Sequence, residues 1–143
     1  MSKATQWEVL LVEDSTADTY LVQQAIADSK KNIRLWFIAN GQDALGFLRK
    51  EGSYVHAPSP ALILLDLNLP KLDGHQVLTE LRRLPAYQAT PVVIFSAARK
   101  DLEEQHCLQL GANAYVQKPV DFDSFFAAVP AIVQHWLKPA QAS

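Results

Sequence analysis

Residues Ala61–Gly74 read ALILLDLNLPKLDG. The run from Ala61 to Leu65 has no polar alternation and closes on one carboxylate, Asp66. A strand that is apolar on both faces is covered on both, as in a parallel sheet flanked by helices. In open sheets of that kind, ligands bind beyond the carboxyl ends of the strands. The position of Asp66 therefore raises a specific question: what do the other strands bring to the same edge?

Four more segments read as strands: Trp7–Val12, Ile33–Ile38, Pro91–Ser96 and Ala114–Gln117, with the third being Ala61–Asp66. VLLV and VVIF share the unbroken apolar character of LILL. Helical patterns fill the intervals. Leu21, Val22, Ala25 and Ile26 fall on one face of a first helix, and Val77, Leu78, Leu81 and Leu84 on one face of a third. Gly41 precedes a short second helix, and Gly111 marks the stop of a fourth after Asp101, whose apolar spacing is poor. A last helix begins at Asp121 or Asp123, and Pro130 should bend or divide it. The tail after Lys138 reads as loose. Alternating strands and helices predict an α/β fold: a doubly wound, five-stranded parallel sheet of order 2-1-3-4-5.

Composition narrows the class. The chain has 143 residues, which suits one domain spanning 1–143, and 49% of them are apolar. Net charge is -2 with no long basic run, so nucleic acid is not an expected partner. Cys107 is the single cysteine, which excludes an intramolecular disulfide and suits a reducing compartment. The N-terminal stretch lacks the apolar core of a signal peptide, and no uncharged apolar run is long enough for a bilayer. The expectation is a cytoplasmic protein with no membrane association.

Polar chemistry does gather at the predicted strand ends. The first strand ends in Glu13-Asp14, the third in Asp66, the fourth in Ser96, and the fifth runs into Lys118-Pro119. The second ends in Ala39-Asn40. Two carboxylates ~4 Å apart repel by about 4 kcal/mol at an effective dielectric near 20. Such a cluster needs protons or a cation, and hard oxygen donors suit Mg²⁺. No His/Cys set has zinc spacing; the four histidines are scattered along the chain. A carboxylate in such a site can attack a phosphoryl donor and form an acyl phosphate.

The motifs VED (Val12–Asp14), LLDLNLPKLDG (Leu64–Gly74), FSA (Phe95–Ala97) and AYVQKPV (Ala114–Val120), in this order, resemble the receiver domain of two-component response regulators. The resemblance covers about Glu8 to Leu137 and implies a CheY-like, flavodoxin-like fold with no output domain. It implies Asp66 as phospho-acceptor. It implies metal ligation by Glu13, Asp14, Asp66 and the backbone carbonyl of Asn68, with Asp14 direct and Glu13 through water. Ser96 would sense the phosphoryl group, Tyr115 would be the switch aromatic, and Lys118 would contact the phosphoryl. Lys118-Pro119 would be a cis peptide, as is common in the family. The implied protein is not an enzyme in the ordinary sense. It takes a phosphoryl group from a sensor histidine kinase with Mg²⁺, hydrolyses it, and changes partner binding. FLRKEGSY (Phe47–Tyr54) and DLNLPKLDG are similar to small regulators paired with cyanobacterial-type phytochromes, which implies a red-light receptor as the kinase. Ser96 stands where Thr is frequent, and Ala98 where a longer side chain is common.

Each residue also has a plainer use. Asp14 could cap the first helix, together with Ser15, Thr16 or Asp18. Asn68 could be a turn residue, and Asp73-Gly74 reads as a turn and N-cap of the third helix. Tyr115 could be packing. Arg82-Arg83 and Arg99-Lys100 read as solvated faces. A haloacid-dehalogenase-type phosphotransferase would need an acid where Asn68 stands. A flavodoxin-type FMN carrier would not place Glu13-Asp14 in its phosphate loop. A non-phosphorylated adaptor keeps the fold and drops the chemistry. Finally, Phe122, Phe125, Phe126, Val129, Ile132, Val133, Trp136 and Leu137 form a stripe broader than one sheet face needs. Its surplus, with the last strand, is the expected face of a symmetric homodimer.

Overall fold

A computed structural model describes residues 6–138; the tail after Lys138, expected to be loose, lies outside them. Five parallel strands, β1 (Trp7–Val12), β2 (Ile33–Ile38), β3 (Leu62–Leu65), β4 (Val92–Ser96) and β5 (Ala114–Gln117), form one sheet of order β2-β1-β3-β4-β5. Helices α1 (Thr16–Asp28), α2 (Gly41–Arg49), α3 (Gly74–Arg82), α4 (Lys100–Leu110) and α5 (Phe122–Trp136) connect and follow them. The predicted order and alternation hold. Ala61, Asp66 and Pro91 flank their strands rather than belonging to them.

The unbroken apolar runs are explained by two cores. Val9, Leu11, Leu62, Leu64, Val93 and Phe95 face α1 and α5, where they meet Val22, Ala25, Val129 and Val133. Leu10, Val12, Ile63, Leu65, Val92 and Ile94 face the other way, onto Leu45, Val77, Leu78, Leu81 and Cys107 of α2, α3 and α4. Successive strand residues point to opposite faces, so a strand covered twice must be apolar at every position.

Four of the five helix starts are built by side-chain caps. Ser15 caps α1, so the N-cap is not Asp14. Asn40 caps α2, which makes Gly41 its first residue. Asp73 caps α3 in a capping box with Gln76, as the Asp73-Gly74 reading expects. Asp121 caps α5. Gly111 ends α4 at φ 113°, a left-handed conformation that favours glycine.

Several expectations need correction. α5 runs through Pro130 as one helix. Proline removes one helical hydrogen bond and costs about 3 kcal/mol. Buried Val129, Ile132 and Val133 hold both sides of Pro130 on the sheet and outweigh that loss. α3 stops at Arg82, which leaves Leu84 outside it. The Arg82 side chain is not simply solvated. Its Nε donates to Gly111 O at 2.9 Å, and its Nη1 donates to the carbonyls of Tyr87 at 2.6 Å and Thr90 at 2.9 Å. Among the described residues no peptide bond is cis, so Lys118-Pro119 is trans, the isomer X–Pro bonds favour by about 0.5–1 kcal/mol. α4 is a helix despite its poor spacing, and its one buried residue is Cys107.

Gly74 fixes the approach of α3 to the end of β3. A Cβ there would lie 2.3 Å from the carbonyl oxygen of Asp66 and 2.7 Å from Leu67 Cα. Both neighbours are backbone and cannot swing away. Gly74→Ala should therefore lower the unfolding free energy by about 1–3 kcal/mol or more, read as a shifted urea midpoint at constant m-value.

Candidate functional site

Four strand ends gather their polar residues at one edge of the sheet. β1 delivers Glu13, buried, and Asp14, exposed; Asp66 follows β3 and is buried. Ser96 closes β4 and is fully buried. Lys118 follows β5, and its backbone N–H donates to Ser96 O at 2.8 Å, which ties its start to β4. The Lys118 Nζ then makes a short contact with Glu13, lies 2.8 Å from Asp18 Oδ2 and lies 3.3 Å from Asp66 Oδ2. Ligand atoms of Glu13, Asp14 and Asp66 all lie within 4.8 Å of one another.

The remaining expected residues also come to this edge. The Asn68 N–H donates to Asp66 Oδ1 at 3.3 Å. Ser96 Oγ accepts from the Ala98 N–H at 3.3 Å, and the Tyr115 hydroxyl donates to Ala98 O at 2.9 Å. Tyr115 is buried, and its phenol is pushed up to about 12 chiefly by that burial. Ala98 thus joins Ser96 to Tyr115 through its own backbone. Beside Asp14, Asn68 and Ala98 opens a cleft of about 490 Å³.

Two features are invisible to the sequence. Asp18, which reads only as a cap candidate, is an ion-pair partner of Lys118. It lies in the first turn of α1, where Lys118 from beyond β5 reaches it, which no local spacing reveals. The histidines are also not all scattered in space: His75 and His106 meet beside Glu103, because α3 and α4 are neighbours.

The electrostatics follow from the count of charges. Glu13, Asp18 and Asp66 surround one ammonium, and exposed Asp14 adds a fourth carboxylate within 4.8 Å of Glu13 and Asp66. Burial alone would lower the Lys118 pKa; hydrogen bonds to Asp18 and Glu13 and the charges of Asp66 and Glu13 outweigh it, and its pKa ends above the ordinary lysine value. Glu13 is pushed up to about 7, first by burial and then by the charge of Asp66, against the pull of Lys118. The clustered donors are carboxylate oxygens, the donor type of a hard divalent cation, so the residues fit such an ion.

A raised carboxyl pKa has a definite sign in stability. Its contribution is present below the unfolded value of 4.5 and is lost as pH rises through about 7. Each tenfold change in proton affinity is worth ~1.4 kcal/mol, so the ionised Glu13 costs the metal-free protein about 3 kcal/mol above pH 7. Glu13→Gln should therefore gain stability relative to the parent as pH rises from 5 to 8. Urea unfolding in chelator across that range measures it, and a constant difference would contradict this origin of the Glu13 pKa.

Comparison with known proteins agrees with this geometry. Residues 9–130 match the family described as response regulator receiver domain. The response regulator Rcp1 of Synechocystis sp. is 38% identical over 130 residues, covering 91% of this chain and 88% of its own. The crystal structure of the phosphorylated cyanobacterial phytochrome response regulator RcpA superposes with a TM-score of 0.90 at 37% identity, covering 96% of this chain and 98% of that one. The Mn²⁺-bound form of Rcp1 gives 0.88 at 36% identity, over 96% and 99% of the two chains. The chain, with its acids and its lysine gathered at the strand ends, belongs to the response regulator receiver domain family.

Proposed function

We propose that this protein is a two-component response regulator that accepts a phosphoryl group on Asp66 from a sensor histidine kinase and thereby changes its affinity for a partner. The observation that carries the reading is the buried Asp66 carboxylate at the end of the central strand, paired with Lys118. Relatives named for phytochrome signalling support a red-light receptor as the kinase.

In this reading one Asp66 oxygen attacks the phosphorus of a phosphohistidine. The P–O bond forms, the P–N bond breaks, and its electron pair leaves with the imidazole. The Asn68 N–H on Oδ1 holds the carboxylate plane. Lys118, already on Oδ2, stays beside the charge that develops on the phosphoryl oxygens. Glu13, Asp14, Asp66 and the Asn68 carbonyl would hold Mg²⁺, which supplies neutralising positive charge to the acids and the phosphoryl group. Ser96 donates its hydroxyl proton to a phosphoryl oxygen. Because Ser96 Oγ also holds the Ala98 N–H, and Tyr115 the Ala98 carbonyl, that movement passes directly into the loop before α4. α4 has one buried residue, so a bias of a few kcal/mol is enough to redistribute its positions.

The chain's proposed self-partner is a second copy, meeting through β5 and α5. Phe125, Val129, Ile132, Val133 and Leu137 of the apolar stripe are buried in the core, whereas Phe122 and the neighbouring Val120 are exposed. Phe122 stacks on Phe126 at 5.5 Å and extends the patch.

Incubation with Mg²⁺ and a small acyl phosphate should add one phosphoryl group by intact mass. Asp66→Asn should add none, and Lys118→Ala should slow the addition by about 100-fold or more. Addition that persists in Asp66→Asn refutes the acceptor assignment. Sedimentation velocity should show a dimer, displaced toward monomer by Phe122→Ser with Val120→Ser. A parent chain that stays monomeric at high concentration, phosphorylated or not, removes the dimer.

A further inference from the structure

Outside the acidic site, one cluster has the composition of a metal centre. His75 lies in the first turn of α3; Glu103 and His106 lie three residues apart on α4 and so share a face. His75 Nε2 is 2.9 Å from Glu103 Oε2. The His75 and His106 rings stack with centroids 4.9 Å apart and planes at 23°. One ligand atom from each of the three residues lies within 4.8 Å of the other two. On the other side of the His75 ring, Nδ1 faces Asp73 Oδ1 at 3.9 Å.

We propose that His75, Glu103 and His106 form a second divalent-cation site, selective for a borderline ion of the Zn²⁺ class. Two imidazoles and one carboxylate suit such an ion, with solvent in the remaining position, whereas Mg²⁺ prefers all-oxygen donors. A cation in place of the His75 Nε2 proton uses the Glu103–His75 edge that already exists. A tetrahedral ion has ligand edges of about 3.3 Å for metal–ligand bonds of about 2.0–2.1 Å. The exposed His106 supplies the remaining closure by side-chain rotation. A groove of about 290 Å³ between α3 and α4, lined in part by His75, Thr79 and His106, gives access from solvent. Cys107, next in sequence, takes no part: it is buried against the sheet, and its thiol is pushed up to about 11 by that burial.

The site has a mechanical consequence. It would clip α4, otherwise anchored by Cys107, to α3. A metal there opposes any displacement of α4, and by linkage the displacement weakens the metal. That consequence rests on the phosphoryl-switch reading above; the site itself does not.

The test uses the untagged, unphosphorylated chain in excess Mg²⁺, so that the acidic cleft is occupied by the harder ion. Zn²⁺ titration by calorimetry should give one tight equivalent, and Co²⁺ should give visible absorption from nitrogen–oxygen ligation. His75→Gln, His106→Gln and Glu103→Gln should each weaken Zn²⁺ by about 10–100-fold or more. His56→Gln and Asp14→Asn should leave it unchanged. The three ligand positions are at the surface, and urea midpoints equal to the parent would show that folding is intact. No tight equivalent, retention in both His75→Gln and His106→Gln, or loss in Asp14→Asn overturns the site. None of these outcomes bears on whether Asp66 accepts a phosphoryl group.

Discussion

The interaction on which this molecule depends is the pairing of one buried ammonium with carboxylates from two other segments and a helix. Lys118 reaches Glu13 after β1, Asp66 after β3 and Asp18 on α1. Removing charges from water is expensive, by several kcal/mol per ion. The site tolerates it because each charge has a partner, and among the described residues no buried side-chain polar atom is left unsatisfied. The arrangement remains short of positive charge. Glu13 carries part of that strain: burial first, and the charge of Asp66 second, raise its pKa.

Backbone ties convert this electrostatic problem into a structural one. Lys118 is anchored to Ser96 by a main-chain bond. Ser96 and Tyr115 both hold Ala98, one through its N–H and one through its carbonyl. The loop from Ser96 to Lys100 is therefore fixed at its start by groups facing the site and at its end by a lightly packed helix. Such an element is well suited to two positions, because little apolar burial is lost when it moves. The rest of the sheet lacks that freedom, with β1, β3 and β4 apolar on both sides.

Much of this was legible in the sequence because the signals are local. Three strands, β1, β2 and β5, have the predicted bounds, since apolar runs bounded by turn residues mark strands directly. Glu13, Asp14, Asp66, Ser96 and Lys118 were found because strand ends in a parallel sheet all point to one edge. What was not legible depends on packing between elements. Asp18 looks like any acid in a first helical turn until the segment after β5 brings Lys118 to it. His75 and His106 are 31 positions apart and meet only because α3 and α4 are adjacent. Arg82 reads as one of a charged pair, yet it binds carbonyls of two loops that its local sequence does not mention. Pro130 reads as a break because propensity takes no account of the sheet beneath it.

The lone thiol offers a different kind of access to these motions. Cys107 is the residue that holds α4 down; it is sealed from solvent, and burial keeps its proton on. Alkylating reagents attack the thiolate, so in the resting fold this sulfur is chemically silent. Every excursion that lifts α4 would uncover it. The protein thus carries its own clock: the rate at which an added electrophile labels the sulfur counts the helix's departures, with no reporter group introduced.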